Sequence, residues 1–349
     1  MKLSRDIKSL SLEELEQFLE NNGEKKFRAK QIFNWLWKNN VSSFETMNNI
    51  PLPTRNLLEK TFTFYPVKIN TQQTSEDGTI KLAFSLADGN FAEGVLIPSE
   101  DRTTACISSQ VGCNLGCKFC ATARLGFTRN LTAGEIVDQV IEINKLSLQN
   151  YQRPLSNIVF MGMGEPLLNY AHVLFAIKCI TAEYGLGMSP RRITVSTAGV
   201  AKMIKKLADD EVKFNLAISL HSANEEKRDD FMPINKGINL SELSEAIVYF
   251  WKKTNTRVTL EYLLLKDYND SIKAAQELAL FCKAFPCKIN VIEFNPVEGL
   301  EFERSTNERT QKFVEILESK NMIVNIRRSR GKDIDAACGQ LANKIAKNT

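Results

Sequence analysis

The sequence predicts an α/β protein whose sheet curves into a three-quarter barrel of six βα units, preceded by a helical region and a β-hairpin. Three observations lead there. From about residue 103, short apolar runs alternate six times with stretches of helical period, the pattern of a parallel sheet with crossover helices. Several of the runs are apolar throughout, as in strands covered on both faces. Six units fall short of the eight that close a full barrel. One side is therefore expected to stay open, wide enough for a large substrate to enter laterally.

Residues 1–63 read as helical. Leu12, Leu15, Phe18 and Leu19 follow a 3.6-residue period. Ser11 is placed to cap that helix, with Glu14 three residues on completing a capping box. A second run carries Ile32, Phe33, Leu36 and Trp37, and Pro51 and Pro53 precede a short third helix. Trp35 and Trp37 are assigned to the core of this bundle. In residues 64–100 the period changes to two: Leu82, Phe84 and Leu86 alternate, Asp88-Gly89-Asn90 turns the chain, and Phe91 to Ile97 returns, a hairpin packed on the barrel. The barrel is assigned to 101–300, with strands at 103–108, 157–161, 192–197, 214–220, 257–265 and 288–294. Its helices are expected at 132–148, 170–183, 200–208, 240–254 and 271–284. Residues 301–349 supply a helix at 306–320, a strand at 322–327 and a polar tail.

Composition narrows the function classes. An apolar content of 43% and a charged content of 25% are ordinary for a globular protein. The first residues hold no uninterrupted apolar run, and no stretch approaches the roughly 20 apolar residues of a spanning helix, so a cytoplasmic protein without membrane contact is expected. Eight cysteines in that reducing setting point to metal ligation or catalysis rather than a disulfide framework. His172 and His221 are the only histidines, which argues against His-based zinc catalysis and His-carboxylate triads. The net charge is +4, and the basic residues cluster: Lys25, Lys26, Arg28 and Lys30; Lys202, Lys205 and Lys206; and Arg327, Arg328, Arg330 and Lys332. Such patches suit a polyanion such as RNA, although solvated charge runs are common.

The chemistry concentrates in CNLGCKFC, where Cys113, Cys117 and Cys120 are spaced C-x3-C-x2-C. Three thiolates can hold three irons of a [4Fe-4S] cluster and leave the fourth open to a ligand. The segment follows the first barrel strand, on the face where barrel active sites lie. A closed structural zinc site would want a fourth ligand, and no Cys or His stands at suitable spacing downstream. At later strand ends stand GMGEP with Gly164 and Glu165, then Ser196 and Thr197, then Ser219-Leu220-His221, then Asn295. Glu165 can accept hydrogen bonds from an ammonium group. Helix capping is the plainer account of these polar residues.

This cysteine spacing, with an aromatic residue before the last Cys and a βα barrel around it, resembles the radical S-adenosylmethionine superfamily. CISSQVGCNLGCKFCAT, FMGMGEPLLN, SPRRITVST, SLHS and DIDAACGQL further resemble the subfamily of radical methyltransferases that modify adenine C2 in 23S rRNA and tRNA, over almost the full chain. The resemblance implies a [4Fe-4S] cluster on Cys113, Cys117 and Cys120, and S-adenosylmethionine contacts from Gly164, Glu165, Ser196, Ser219, Leu220, His221 and Asn295. It implies that Cys338 accepts a methyl group and, after hydrogen abstraction by a deoxyadenosyl radical, joins C2 as a thioether. Cys106 then releases the product by forming a disulfide with Cys338. Glu93, in FAEGVLIP, takes the role of proton acceptor, and desolvation between apolar neighbours would raise its pKa. The resemblance also implies an RNA-binding role for the N-terminal helices, a one-electron donor such as flavodoxin or ferredoxin, and a monomer. The related methylation of C8, or a metal-containing RNA-binding protein without activity, are the alternatives. Cys179, Cys282 and Cys287 read as core residues.

Overall fold

The computed structural model describes residues 5–343. The N-terminal region comprises β1 (Arg5–Asp6), α1 (Leu12–Asn21), α2 (Arg28–Phe33), α3 (Leu52–Thr61) and β2 (Phe62–Thr63), with β1 and β2 paired in parallel. The expected capping box forms: the Glu14 amide donates to Ser11 Oγ at 3.1 Å, and the Ser11 amide donates to the Glu14 carboxylate at 2.8 Å. The second apolar run continues past α2 as a π-turn over Asn34–Lys38, which carries Trp37 into the core. Trp37 packs edge-on against Phe33 and Phe175, the latter from the barrel. Trp35 is only half-buried, its Nε1 donating to Asn49 Oδ1 at 2.6 Å. The same seam is fixed by buried Lys8, whose Nζ donates to Asp138 at 2.5 Å and to Asn40 at 2.7 Å.

Next come β3 (Lys68–Thr74), β4 (Ile80–Ser85), β5 (Phe91–Pro98) and β6 (Thr103–Cys106), followed by a small hairpin of β7 (Gln110–Gly112) and β8 (Phe127–Asn130). The alternating part is α4 (Ala133–Tyr151), β9 (Asn157–Phe160), α5 (Tyr170–Thr181), β10 (Ile193–Thr197), α6 (Ala201–Asp209), β11 (Asn215–Ser219), α7 (Glu225–Phe231), α8 (Leu240–Thr254), β12 (Val258–Leu264), α9 (Ile272–Phe281), β13 (Cys287–Glu293), α10 (Asn307–Ser319) and β14 (Val324–Arg327).

One ten-stranded sheet runs in the order β14-β13-β12-β11-β10-β9-β6-β5-β4-β3. Two details add to the expected architecture. The strand expected at 322–327 joins the barrel: β14 pairs in parallel with β13 and adds a seventh parallel strand after the six βα units. The expected hairpin of the 64–100 segment is part of the same sheet. Its β5 pairs antiparallel with β6, and β3–β5 extend the same sheet edge to edge. This explains why β4 is buried on both faces despite its alternating sequence. Helix α4 packs against β5 on one side of this extension, and Val95 meets Ala336 and Leu341 of the C-terminal segment on the other.

Beyond β14 the chain crosses the sheet as a strap fastened at both ends. The Gly331 amide donates to Asp77 Oδ2 at 3.0 Å, and the Asp333 carboxylate accepts from Ser75 Oγ at 2.5 Å and the Glu76 amide at 3.2 Å. At the far end Gly339 O accepts from the Ala121 amide at 2.7 Å, Leu341 O from Thr122 Oγ1 at 2.7 Å, and Glu93 Oε2 from the Ala342 amide at 2.8 Å. Among the described residues no helix is long and apolar enough to cross a membrane.

Candidate active site

The cysteine loop leaves β7 through Gly112, at φ +74°. A Cβ there would stand 1.8 Å from Gly126 O, so only glycine fits. The Cys113 amide donates to that same oxygen at 2.9 Å, the Lys118 amide to Phe231 O at 2.9 Å, and the Ala121 amide to the strap. The loop is thereby held against β8, α7 and the C-terminal segment at once. Phe119 packs edge-on against His221 at 4.9 Å and lies against Phe231 at 5.5 Å.

The Cys113, Cys117 and Cys120 side chains open on one cavity at the C-terminal ends of the parallel strands. Burial pushes the Cys113 thiol up to about 11, with the hydrogen bond from Leu115 opposing and Cys120 adding to the rise. The Cys117 thiol is pushed up further, by burial and then by Cys120 and Cys113. A cationic centre would reverse this and hold all three as thiolates. Among the described residues no group of three His, Cys, Asp or Glu side chains closes around a single metal ion. A four-iron cube takes each thiolate at a different corner, so three separated soft donors lining one cavity fit a cluster.

Glu165 is buried beside them. Its Oε1 accepts from the Leu167 amide at 3.0 Å and its Oε2 from the Ala198 amide at 2.8 Å. Gly164, at φ +97°, brings the backbone against Gln110, where a Cβ would lie 2.5 Å from the Gln110 Cβ. Burial raises the Glu165 carboxyl to about 7, against the lowering effect of those hydrogen bonds. An ammonium partner would lower it again. Ser196 and Ser219 line the cavity with their hydroxyls 3.3 Å apart. His221 lines it too. Its Nδ1 accepts from the Leu263 amide at 3.0 Å, which leaves the proton on Nε2, and burial lowers its pKa to about 3. The imidazole is a neutral, fixed donor.

Cys106 and Cys338, far apart in sequence, wall the same cavity, both as free thiols. Burial pushes Cys106 up to about 12, with Cys338 adding and Arg327 opposing. Cys338 is open to the cavity interior, but the surrounding protein still raises its thiol, again with Arg327 opposing.

Three expected residues stand outside the lining. Leu220 is fully buried, and only its backbone is engaged: its amide donates to Glu261 O and its carbonyl accepts from Arg228. Asn295 is buried behind the strap, 3.5 Å from Cys338 O. Glu93 does not open on the cavity, and its neighbours are not all apolar, because buried Lys81 places its Nζ 3.3 Å from Glu93 Oε1. Glu93 nevertheless shares a sheet face with Cys106. Val95 pairs with Cys106 across β5 and β6, and Glu93 is two residues along.

Sequence reasoning missed Lys81, which an alternating hairpin would have placed in solvent. It also missed Arg228, which is fully buried, donates to Ala198 O at 2.7 Å and sets a positive charge near Cys117. The basic run at 327–330 had been noticed only as charge; Arg327, Arg328, Ser329 and Arg330 all line the cavity.

Known proteins agree with this architecture. Residues 5–63 match the "Ribosomal RNA large subunit methyltransferase N-terminal domain" family, and residues 107–279 match the "Radical SAM superfamily". The chain is 54% identical to the probable dual-specificity RNA methyltransferase RlmN of Flavobacterium psychrophilum, over 97% of this chain and 98% of that protein. It is also 54% identical to the corresponding protein of Cytophaga hutchinsonii, over 98% of this chain and 93% of that protein. The crystal structure of a radical SAM methyltransferase from Sphaerobacter thermophilus superposes with a TM-score of 0.89 at 39% identity, covering 96% of this chain and 98% of that one. With its cysteine triplet, its partial barrel and near full-length identity above one half, the chain belongs to the RlmN family of dual-specificity RNA methyltransferases within the radical SAM superfamily.

Proposed function

We propose that this enzyme methylates the C2 carbon of adenosine in two RNAs, the peptidyl-transferase region of 23S rRNA and the position 3′ to the anticodon of tRNA. The observation that carries this reading is the meeting of Cys106 and Cys338 in the cavity walled by Cys113, Cys117 and Cys120. Ordinary displacement of a methyl group needs a nucleophilic target and no such dithiol, whereas C2 of adenine is electron-poor. A [4Fe-4S] cluster on the three cysteines, with S-adenosylmethionine on its open iron, supplies when bound the methyl group and the one-electron cleavage chemistry. Gly164, Glu165, Ser196, Ser219 and His221 orient the cofactor, Glu165 by accepting from its ammonium group. Leu220 and Asn295 act from behind, through backbone and strap.

Cys338 carries the methyl group as S-methylcysteine. One hydrogen atom of that methyl leaves to a deoxyadenosyl radical, and the carbon bonds C2. Loss of the C2 proton together with one electron, which would return to the one-electron centre, leaves the RNA held through a thioether. Cys106 attacks that sulfur, the S–C bond to the product breaks, and a Cys106–Cys338 disulfide forms; a reductant restores both thiols. Arg327 lies close enough to favour the thiolate of either cysteine. Glu93 accepts the C2 proton, from the sheet face it shares with Cys106. A one-electron donor such as flavodoxin or ferredoxin serves the cluster, and the enzyme works as a cytoplasmic monomer.

Cys106→Ala is the test. The variant is expected to accumulate a covalent RNA–protein adduct on denaturing gels, and Cys338→Ala to form neither adduct nor product. A fully active Cys338→Ala enzyme, with no adduct from Cys106→Ala, would end the two-cysteine reading. Mass spectrometry of digested RNA is expected to show 2-methyladenosine; an 8-methyl product would reassign the position.

A further inference from the structure

We infer that the turn Arg327-Arg328-Ser329-Arg330 is a phosphate site for the RNA backbone beside the target nucleotide, with Arg328 as the phosphate ligand. The inference rests on the RNA reading above and adds to it a subsite. All four residues line the cavity that holds the reactive thiols. Their roles differ. Arg327 is engaged inward, its Nη1 3.3 Å from Glu261 Oε2. Arg330 reaches toward Asp77 at 4.0 Å. Arg328 is exposed and makes no hydrogen bond or ion pair among the described residues.

The nearby acids are already occupied. Glu261 is taken by Arg327, Glu293 by Arg304 and by Lys332 at 3.0 Å, and Asp333 by Ser75 and the Glu76 amide. Among the described residues no carboxylate forms an ion pair with Arg328. Its place in the fold gives access, because β14 is an edge strand bonded only to β13 and Arg328 follows it directly. A planar guanidinium at the open flank of this cavity suits the phosphodiester of a nucleotide whose base has entered. The other anion in reach, the carboxylate of S-adenosylmethionine, is expected deeper, beside the thiols and Glu165.

The test compares wild type, Arg328→Ala and Arg328→Lys, each with reconstituted cluster, for binding a labelled target RNA by fluorescence anisotropy from 50 to 200 mM salt. One lost phosphate contact reduces the slope of log K against log salt by about 0.7–0.9. Over that fourfold range the variant's affinity therefore falls about threefold less than that of wild type. Arg328→Lys keeps the charge and is expected to keep the slope. Replacing one flanking phosphate with a neutral methylphosphonate is expected to give wild type the slope of Arg328→Ala.

An unchanged slope in Arg328→Ala overturns the assignment. So does a loss of S-adenosylmethionine affinity, by equilibrium dialysis, at unchanged RNA slope, since that places the cofactor carboxylate on Arg328. A wild-type enzyme that fails to bind the RNA removes the RNA reading itself; a normal wild type with an indifferent variant removes the subsite alone.

Discussion

Lys81→Met tests whether the buried pair on β4 and β5 behaves as the structure implies. Lys81 and Glu93 are 1% and 0% exposed, and their charged atoms stand 3.3 Å apart. Glu93 Oε2 has the Ala342 amide, but Oε1 has no hydrogen-bond partner. Methionine keeps most of the lysine stem and removes the ammonium. The carboxylate is then buried with half its acceptors unmet. Removing one partner of a buried pair costs about 3–5 kcal/mol. At roughly 2 °C per kcal/mol, the low end suited to a long chain, the melting temperature should fall by about 6–10 °C. Differential scanning fluorimetry on cluster-reconstituted protein measures it. The double variant Lys81→Met/Glu93→Leu removes both charges and should recover most of the loss, since an apolar replacement of a buried pair is often neutral. A single variant within 2 °C of wild type, or a double variant worse than the single, would refute the argument.

Other perturbations have equally definite outcomes. Gly112→Ala forces a Cβ into Gly126 O and should misplace the cysteine loop, so reconstituted protein should hold less than half the wild-type iron by colorimetric assay. The buried Glu165 carboxyl, raised to about 7, is charged only above that pH, so burial lowers stability progressively from the ordinary carboxylate range up to pH 7. Unliganded Glu165→Gln should lose this pH dependence in thermal melts, while wild-type affinity for S-adenosylmethionine, by equilibrium dialysis, should rise between pH 6 and pH 8. Lys8→Met leaves Asp138 buried without its cation and should cost about 3–5 kcal/mol, read as faster release of the N-terminal helices in limited proteolysis.

Local signals were legible because they depend on neighbours in sequence. Ser11 and Glu14 announce a cap, C-x3-C-x2-C announces three cysteines on one loop, and the apolar runs announce covered strands. The parts that stayed hidden depend on what meets across the fold. Alternation in Ile80–Ser85 shows that side chains point two ways, but not that both faces are covered, so nothing local marks Lys81 as buried. Leu220 stands next to His221 in sequence, yet the chain turns just past β11, with His221 at φ +57°, and of the two only His221 lines the cavity. The basic residues after β14 could be counted, but only the parallel pairing with β13 brings them to the cavity.

The doubly fastened crossing that bears Cys338 has a consequence for anyone shortening this protein. A stop codon placed directly after that residue would spare every sulfur and every charged group discussed as reactive. It would nevertheless sever the ties made by Gly339, Leu341 and Ala342, leaving Cys338 on a loose end. The last described residues thus hold both Cys338 and the cysteine loop in place, and a trimmed version should lose turnover and hold less iron than the full chain.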